Sequence, residues 1–201
     1  MSASPRFPRL FCLVSHRDDL ALLPALAAAG VDGFQVRDKA LPTGALVTLV
    51  RSVLAAVRPA GATVVVNDRL DVALAAGAAG VHLGTDDLAV TDARRLAPGL
   101  LIGATCRSRA EVLAAAADGA DYAGFGPVFA TDSKPGLPAP MGVAAVSEAA
   151  GPLPLVAIGG ITARATGEVR AAGAHGIAVI GAIWRHPDPV TAAKELVAAV
   201  A

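Results

Sequence analysis

Cysteine is scarce in this chain, and so are long apolar runs. Cys12 and Cys106 are the only cysteines among 201 residues, and neither lies in a CxxC or Cys/His spacing. We therefore expect two free thiols rather than a disulfide framework or a zinc site. No apolar run reaches the about 18 residues that a membrane span needs, and residues 1–9 lack the apolar core of a secretion signal. A cytoplasmic chain without a membrane partner is the resulting expectation.

An excess of charge of one sign is also absent. The chain has 17 basic and 17 acidic residues, so its formal net charge is zero. This balance argues against a nucleic-acid partner or a charged membrane surface, and any affinity for anions must be local. By contrast, 54% of the residues are hydrophobic and only 17% are charged. A chain of this composition can bury the core of a full domain, and we predict a single domain over residues 1–201.

A glycine-containing repeat organises the chain. Segments 28–33, 75–80, 117–122 and 171–176 share a pattern of small residues around a glycine, and an apolar run follows the glycine each time. A glycine directly after a helix can adopt the left-handed conformation that closes the last helical turn. With four further apolar runs, the repeat predicts eight buried strands. The predicted strands are 10–14, 33–37, 63–66, 81–83, 100–104, 122–125, 155–158 and 176–180.

Eight strands separated by helices rich in alanine, leucine and valine predict an α/β fold, the (β/α)8 TIM barrel, at about 25 residues per unit. A doubly wound open sheet is the alternative. That fold usually carries a glycine-rich phosphate fingerprint after its first strand, and residues 14–18 contain no glycine. The longest irregular stretch, 126–142, contains four prolines and follows the sixth strand, where a barrel places an active-site loop.

Polar residues follow the second strand in an alternating pattern, as Gln35, Arg37 and Lys39. In extended backbone a period of two places all three side chains on the same side, here in the barrel mouth. Arginine offers a planar fork of donors, lysine a point charge and glutamine a neutral donor and acceptor, so the trio suits a pyrophosphate. A solvated charge cluster at a strand end is the alternative interpretation.

Carboxylates follow the third and fourth strands. Asn67 and Asp68 come after one, and Asp86 and Asp87 come after the other. Neighbouring parallel strands lie about 4.8 Å apart, so these carboxylates could reach one Mg²⁺ ion together with substrate phosphate oxygens. Taken singly, each pair also suits a turn or a helix cap. His82 has no second histidine near it in sequence, and we predict a hydrogen-bonded residue of the barrel mouth rather than a metal ligand.

Hydroxyl-bearing and small residues follow the last three strands. They are Thr131, Ser133 and Lys134 after strand six, Gly159 and Gly160 after strand seven, and Ile180 and Gly181 after strand eight. Barrels often hold a phosphate against backbone N–H groups at the last two positions, although glycines there also suit turns. So many strand ends with anion-binding or metal-binding chemistry predict an enzyme whose partners are small phosphorylated molecules. A homo-oligomer is compatible with this pattern.

In this order, and across nearly the whole chain, the motifs resemble the thiamine-phosphate synthase family. The alternating Gln/Arg/Lys followed by Asn67 and Asp68 is the more specific part of the resemblance. The family joins hydroxymethylpyrimidine pyrophosphate to a thiazole phosphate, which releases pyrophosphate and forms thiamine phosphate. The resemblance therefore implies a transferase of thiamine biosynthesis with Mg²⁺ as its cofactor.

The resemblance also implies roles for individual residues. Asp68 and Asp87 would bind magnesium. The residues around the pyrophosphate would be Arg37, Lys39, Asn67 and Lys134, of which the three cations would stabilise the departing group. The pyrimidine would face Gln35 and Thr105. The thiazole phosphate would be held by Thr131, Ser133, Gly160, Ile180 and Gly181.

The sequence departs from the family pattern at three places. Thr85 stands where the family usually has glutamine and Gly181 where it usually has serine, and the sequence that begins at Cys106 is unlike the usual one after strand five. Residues 129–142 also resemble the thiazole tautomerases, relatives on the same barrel that need no magnesium. The tautomerase histidine, however, corresponds to Pro127 here. A tautomerase is therefore one alternative function, and a ligand-binding regulatory barrel without catalysis is the other.

Overall fold

All eight predicted strands are present in the computed structural model, which describes residues 7–132, 136 and 138–201. The strands are parallel and pair in chain order, and the eighth pairs with the first, so the sheet closes into a barrel. They are β1 (Leu10–Val14), β2 (Gly33–Val36), β3 (Thr63–Asn67), β4 (Gly80–Leu83), β5 (Leu101–Cys106), β6 (Tyr122–Phe125), β7 (Leu155–Ile158) and β8 (Gly176–Val179). The predicted TIM barrel is confirmed.

Helices follow the strands and cover the outside of the barrel. They are α1 (Leu23–Ala28), α2 (Thr43–Val57), α3 (Leu70–Ala76), α4 (Val90–Leu96), α5 (Arg109–Ala117), α6 (Gly142–Ala149), α7 (Ala163–Ala171), α8 (Gly181–Trp184) and α9 (Pro189–Val200), with short 3₁₀ turns at Leu20–Leu22 and Arg58–Ala60. Two of these helices begin at a residue whose side chain caps the first turn. The Ser108 hydroxyl accepts the backbone N–H of Glu111 at 3.2 Å, and the Asp188 carboxylate accepts that of Val190 at 3.1 Å.

The repeated glycines end helices, as the sequence predicts. Gly30, Gly77, Gly119 and Gly173 have φ values of 107°, 74°, 94° and 101°, a region that is costly for residues with a Cβ atom. Each glycine lies three residues before the first residue of a strand, and those strands are β2, β4, β6 and β8. The repeat therefore marks every second strand of the barrel.

One helical stretch is long and apolar. Thr43–Ala60 spans 18 residues with a mean hydropathy of 1.2, which by length and composition alone could cross a membrane. In the barrel, α2 packs against β2, β3 and α3. Its buried residues recur at helical spacing, which is the pattern of a helix with one apolar face, and they are Leu46, Leu49, Val50, Val53 and Val57.

The barrel interior is filled by pairing large side chains with glycines on neighbouring strands. A Cβ atom at Gly33 would lie 2.7 Å from the Phe11 ring, and one at Gly103 would lie 2.1 Å from Cζ of Tyr122. Phe11 and Tyr122 are each 1% exposed, and their rings stack with centroids 5.9 Å apart. Positions 33 and 103 therefore both require glycine, because a side chain at either one would overlap a buried ring.

The strand boundaries differ from the predicted ones by at most two residues. The largest difference is at β5, which continues through Thr105 to Cys106 instead of ending at Ala104. Thr105 looks like a loop residue in the sequence because it is polar. In the barrel its hydroxyl points inward to a hydrogen bond, while Cys106 is buried on the outer side among the helices.

We predict that Gly103→Ala destabilises the fold by about 1–3 kcal/mol or more, because the added methyl group would displace the buried Tyr122 ring. Gly167→Ala is the matched control, since Gly167 lies exposed within α7 and a Cβ atom there meets nothing within 4 Å. The control should gain roughly 0.5–1 kcal/mol. Urea unfolding measures both changes, and equal stability of the two variants would contradict the account of the interior.

Candidate active site

A chain of hydrogen bonds crosses the barrel interior. His82 Nδ1 lies 3.1 Å from the Tyr122 hydroxyl, and His82 Nε2 lies 3.1 Å from the Thr105 hydroxyl. Gln35 also hydrogen-bonds to Tyr122. Burial lowers the pKa of His82 to about 4, although the charge of Asp68 opposes the shift. His82 is thus a neutral, hydrogen-bonded residue, as the sequence predicts.

Above this chain, a cavity of about 450 Å³ opens at the carboxyl ends of the strands. This volume is in the range of about 300–1,000 Å³ that is usual for small-molecule sites. Its floor is apolar and includes Phe11, Leu13 and Val156, whereas its wall carries Asn67 and Thr105. A ligand could therefore place an apolar ring deep in the barrel and its polar groups toward the rim. We call this space the barrel cavity.

Two carboxylates meet at the rim beside β3 and β4. Asp68 and Asp87 are within hydrogen-bonding contact of each other, and Lys39 Nζ lies 3.0 Å from Asp68 Oδ2. Burial raises the pKa of the Asp87 carboxyl, and the hydrogen bond and negative charge of Asp68 raise it further. Two carboxylates in such contact repel each other when both are ionised. The pair is therefore suited to a cation.

Local backbone geometry holds both carboxylates in place. Asp68 has a φ of 66°, and it is the one residue other than glycine with a positive φ in the described part of the chain. Its N–H donates to the carbonyl of His82 at 2.7 Å, which fixes it against the end of β4. Asp87 accepts the N–H of Gly84 at 2.7 Å, and a Cβ atom at Gly84 would lie only 2.9 Å from that oxygen. A residue held in an unusual conformation by its surroundings is typical of functional sites.

The side chains of Arg37 and Lys39, which follow β2, lie in different places. Arg37 lines the barrel cavity together with Gln35, as the alternating pattern predicts. Lys39 does not follow the pattern, because β2 ends at Val36 and the extended backbone does not continue to residue 39. Lys39 instead lines a second cavity of about 440 Å³, which Arg37 also borders. The prediction that all three side chains share one side is therefore wrong for Lys39, although its ammonium group still reaches the rim at Asp68.

The loop between β2 and α2 is fixed by Asp38. Its carboxylate accepts the backbone N–H groups of His16, Ala40 and Leu41 at 3.0, 3.0 and 3.2 Å and also contacts the His16 ring. Burial alone would raise the pKa of Asp38, but these hydrogen bonds outweigh it and lower the pKa to about 2. Asp38 is therefore ionised at neutral pH and anchors the backbone between Arg37 and Lys39.

The remaining predicted residues that the structure describes line the barrel cavity. They are Asn67, Thr105, Thr131, Gly160, Ile180 and Gly181. Ser133 and Lys134 lie outside the described residues. At Gly160, with a φ of 65°, a Cβ atom would lie 2.4 Å from the carbonyl oxygen of Ala130. Gly160 therefore lets the loop after β6 approach the end of β7 closely.

Several residues that line the barrel cavity were not predicted from the sequence, among them Tyr122, Arg107 and Arg185. Tyr122 is hidden in the sequence because its role depends on His82, which is 40 residues away. The sequence gives only a weak indication of Arg185, because this residue lies four positions after Gly181 and α8 brings the two together. A helical spacing of four places two residues on the same face.

The donor set fits a magnesium ion better than a transition metal. No group of three or more histidine, cysteine, aspartate or glutamate side chains is placed to hold a metal within residues 7–132, 136 and 138–201. Magnesium commonly binds through one or two carboxylates and takes its other oxygen ligands from substrate phosphates and water. The pair Asp68 and Asp87 offers that number of carboxylates.

The closed barrel, its cavity and the charged groups on its carboxyl rim together define a TIM-barrel enzyme. The sequence profile of thiamine monophosphate synthase matches residues 10–183, and the chain belongs to this family. It is 51% identical over 181 residues to thiamine-phosphate synthase of Methanoculleus marisnigri, which covers 89% of this chain and 85% of that protein. It is 46% identical over 197 residues to thiamine-phosphate synthase of Anaeromyxobacter dehalogenans, with coverage of 96% and 88%. These relationships make the chain a transferase.

Solved structures agree with this assignment. Thiamine phosphate pyrophosphorylase from Pyrococcus furiosus is similar with a TM-score of 0.87 at 34% identity, covering 96% of this chain and 95% of that one. A 3-hexulose-6-phosphate synthase has a TM-score of 0.77 at 23% identity, covering 96% of this chain and 100% of that one. The second likeness is one of fold alone.

Burial of His82 predicts a pH dependence of stability. The imidazole has a pKa of about 4 in the folded protein, against an ordinary value of 6.5, so below pH 6.5 the unfolded chain binds a proton that the folded chain excludes. The free energy of unfolding should therefore fall by roughly 3 kcal/mol more in the wild type than in His82→Asn as the pH drops from 7 to 4. Urea unfolding at several pH values measures this difference, and parallel pH profiles for the two proteins would contradict it.

Proposed function

We propose that the chain is a thiamine-phosphate synthase, which joins hydroxymethylpyrimidine pyrophosphate to thiazole phosphate and releases pyrophosphate. The observation that carries the proposal is the meeting of Asp68, Asp87 and Lys39 beside the cavity that Arg37 lines. A metal-binding carboxylate pair next to cations suits a pyrophosphate leaving group. The names of the relatives support the same reaction.

The pyrophosphate end of the first substrate would lie between Arg37, Lys39 and Asn67. Arg37 borders both cavities and Lys39 borders the second, so the two cations flank the boundary between them. Lys134 is proposed for the same role on the strength of the family resemblance. These cations would bind the leaving group more tightly as negative charge accumulates on it, which lowers the barrier to C–O cleavage.

Magnesium is proposed at Asp68 and Asp87, where it would supply a counter-charge to the pyrophosphate oxygens when bound. The residues themselves contribute orientation. Gly84 and the backbone at His82 fix the two carboxylates on adjoining strand ends, so both face the same point of the rim. Because both groups must be ionised to bind a cation, the raised pKa of Asp87 predicts weaker metal binding in acid.

The pyrimidine ring would enter the barrel cavity against Gln35 and Thr105. Both side chains belong to the hydrogen-bonded chain through Tyr122 and His82, and this chain would fix their donor and acceptor directions. The reacting carbon then needs only a departing pyrophosphate and the thiazole nitrogen nearby, with no general base. Catalysis would consist mostly of positioning and electrostatic stabilisation.

The thiazole phosphate is proposed on the opposite side of the cavity. Thr131, Gly160, Ile180 and Gly181 line this side, and Ser133 is proposed with them from the resemblance. Backbone N–H groups that are exposed at glycine turns can bind a phosphate even where the site has no positively charged side chain. Two phosphorylated substrates would thus approach the cavity from separate parts of its rim.

The alternative functions have less support from the site. A thiazole tautomerase needs a group that moves a proton, and Pro127, which lines the cavity at the corresponding position, has none. A regulatory barrel without catalysis is favoured only if the metal and pyrophosphate groups do not converge, and Asp68, Asp87 and Lys39 are in contact.

The proposed function is tested by the coupling reaction itself, and we expect this reaction to depend on magnesium. With both substrates, we expect thiamine phosphate to form in Mg²⁺ and not in excess chelator, and Asp87→Asn should reduce the rate about 100-fold or more because the ion loses a ligand. Asp92→Asn is the control, since Asp92 is a half-buried residue of α4 that pairs with Arg95 and lies outside both cavities. Chromatographic detection of thiamine phosphate measures all of these rates. Full turnover in chelator would rule out the magnesium proposal, and tautomer conversion without coupling would indicate a tautomerase.

A second variant separates the leaving-group site from the thiazole site. Lys39→Ala should lower the coupling rate by roughly 100-fold, because it removes a cation whose interaction grows as pyrophosphate departs. The affinity for thiazole phosphate should change little, since Lys39 does not belong to the proposed thiazole side. Lys194→Ala, on the exposed side of α9, is the control. Single-turnover rates and calorimetric titration provide the two measurements, and an equal loss in both would contradict the assignment.

A further inference from the structure

An ion pair spans part of the rim on the proposed thiazole side. Arg185 Nη1 lies 2.6 Å from Asp132 Oδ1, which joins the residue after α8 to the loop after β6. Both residues line the barrel cavity, as do Gly160 and Gly181. The side chains are 57% and 81% exposed. Exposed ion pairs of this kind contribute little to stability, so Arg185 can exchange Asp132 for a better anion at little cost.

Gly181 provides the space in which the Arg185 side chain lies. A Cβ atom at Gly181 would be 3.2 Å from Cδ of Arg185 and 3.4 Å from its Nε, which is closer than such atoms normally pack. The φ of Gly181 is not positive, so the backbone conformation does not explain the glycine. A Cβ atom at this position would require the arginine stem to shift by a few tenths of an ångström. Glycine at 181 and arginine at 185 thus form one local arrangement at the cavity wall.

The chemistry of this arrangement suits a phosphate monoester. A guanidinium group forms paired hydrogen bonds with phosphate oxygens, and a phosphate dianion carries more charge than the single carboxylate of Asp132. The glycine turn at Gly160 lines the same cavity. Lys39, by contrast, lines the other cavity, and the pyrophosphate is proposed at the boundary between the two cavities.

We propose that Arg185 binds the phosphate of the thiazole substrate and that Asp132 occupies the guanidinium until this phosphate replaces it. The inference rests on the proposed function, since it concerns the second substrate of that reaction. It makes Arg185 a residue that distinguishes thiazole phosphate from the unphosphorylated thiazole alcohol. It also makes Asp132 a competitor of the substrate, with an effect on affinity opposite to that of Arg185.

A purely structural role for the pair makes a different prediction. If the ion pair only ties the loop after β6 to α8, then loss of either partner frees the same loop. Both substitutions would then weaken ligand binding in the same direction. Loss of this tie would also affect the phosphate and the alcohol alike, because neither ligand would need the charge of Arg185.

The experiment is calorimetric titration of the full chain with thiazole phosphate and with thiazole alcohol at one fixed salt concentration. We expect Arg185→Gln to weaken thiazole phosphate binding at least about tenfold, as loss of a charged hydrogen-bond partner usually does. The affinity for the alcohol should be unchanged. Asp132→Asn should tighten phosphate binding, and the double variant should bind like Arg185→Gln. Arg95→Gln removes an arginine from an exposed pair on α4 and should match the wild type.

The outcomes separate the inference from the proposed function. If the wild type binds thiazole phosphate and Arg185→Gln binds it equally well, the inference is wrong and the proposed function stands. Equal weakening by Arg185→Gln and Asp132→Asn would also overturn the inference and assign the pair a structural role. If the wild type binds neither thiazole, both proposals fail. Inorganic pyrophosphate serves as a further probe, and its affinity should be the same in Arg185→Gln as in the wild type.

Discussion

The narrow interior of the closed barrel constrains everything else in this structure. Phe11 and Tyr122 fit only because Gly33 and Gly103 lie beside them, and Gly124 makes the same room for His82, whose ring carbon would lie 2.6 Å from a Cβ atom there. These pairs fill the lower part of the barrel with closely packed side chains. Because all eight strands are parallel, closure then brings every carboxyl end to the same rim. The residues that bear the chemistry are neighbours for this reason, although they lie far apart in sequence.

Positive and negative side chains lie in contact at the rim, although the chain as a whole has a formal net charge of zero. Asp68 and Asp87 are in hydrogen-bonding contact and have Lys39 beside them, while Arg185 pairs with Asp132 elsewhere on the rim. Under the proposed function, a substrate or its counter-ion would replace one side chain in each group. Such pairing keeps exposed charges partly neutralised before the ligand arrives, and it makes affinity depend on exchange of partners. The proposed substrates would therefore bind by rearranging a set of ion pairs at the rim.

The fold was predictable from the sequence because buried parallel strands and the helix-ending glycines are local signals. Residues 33–37 and 176–180 differ from the observed strands by a single residue, and segments 10–14, 122–125 and 155–158 match the observed strands. Candidate site residues were predictable for a related reason, since polar groups directly after buried strands have no role in packing. The family resemblance then assigned them individual roles.

Features that depend on long-range contacts were not predictable. The direction of Lys39 depends on where β2 ends, and the link from His82 to Tyr122 depends on barrel register. The pairing of Arg185 with Asp132 depends on where the loop after β6 lies. In each case the sequence shows the residue but not the partner, because the partner lies on another strand or loop.

The central proposal is that the carboxylate pair binds magnesium most tightly when a pyrophosphate group binds with it. Its most direct test is calorimetric titration of the wild-type protein with Mg²⁺, with and without inorganic pyrophosphate. Two carboxylates alone should bind the ion weakly, and saturating pyrophosphate should tighten binding of Mg²⁺ by tenfold or more, an effect that should be absent in Asp87→Asn. Identical Mg²⁺ affinity with and without pyrophosphate would contradict the account.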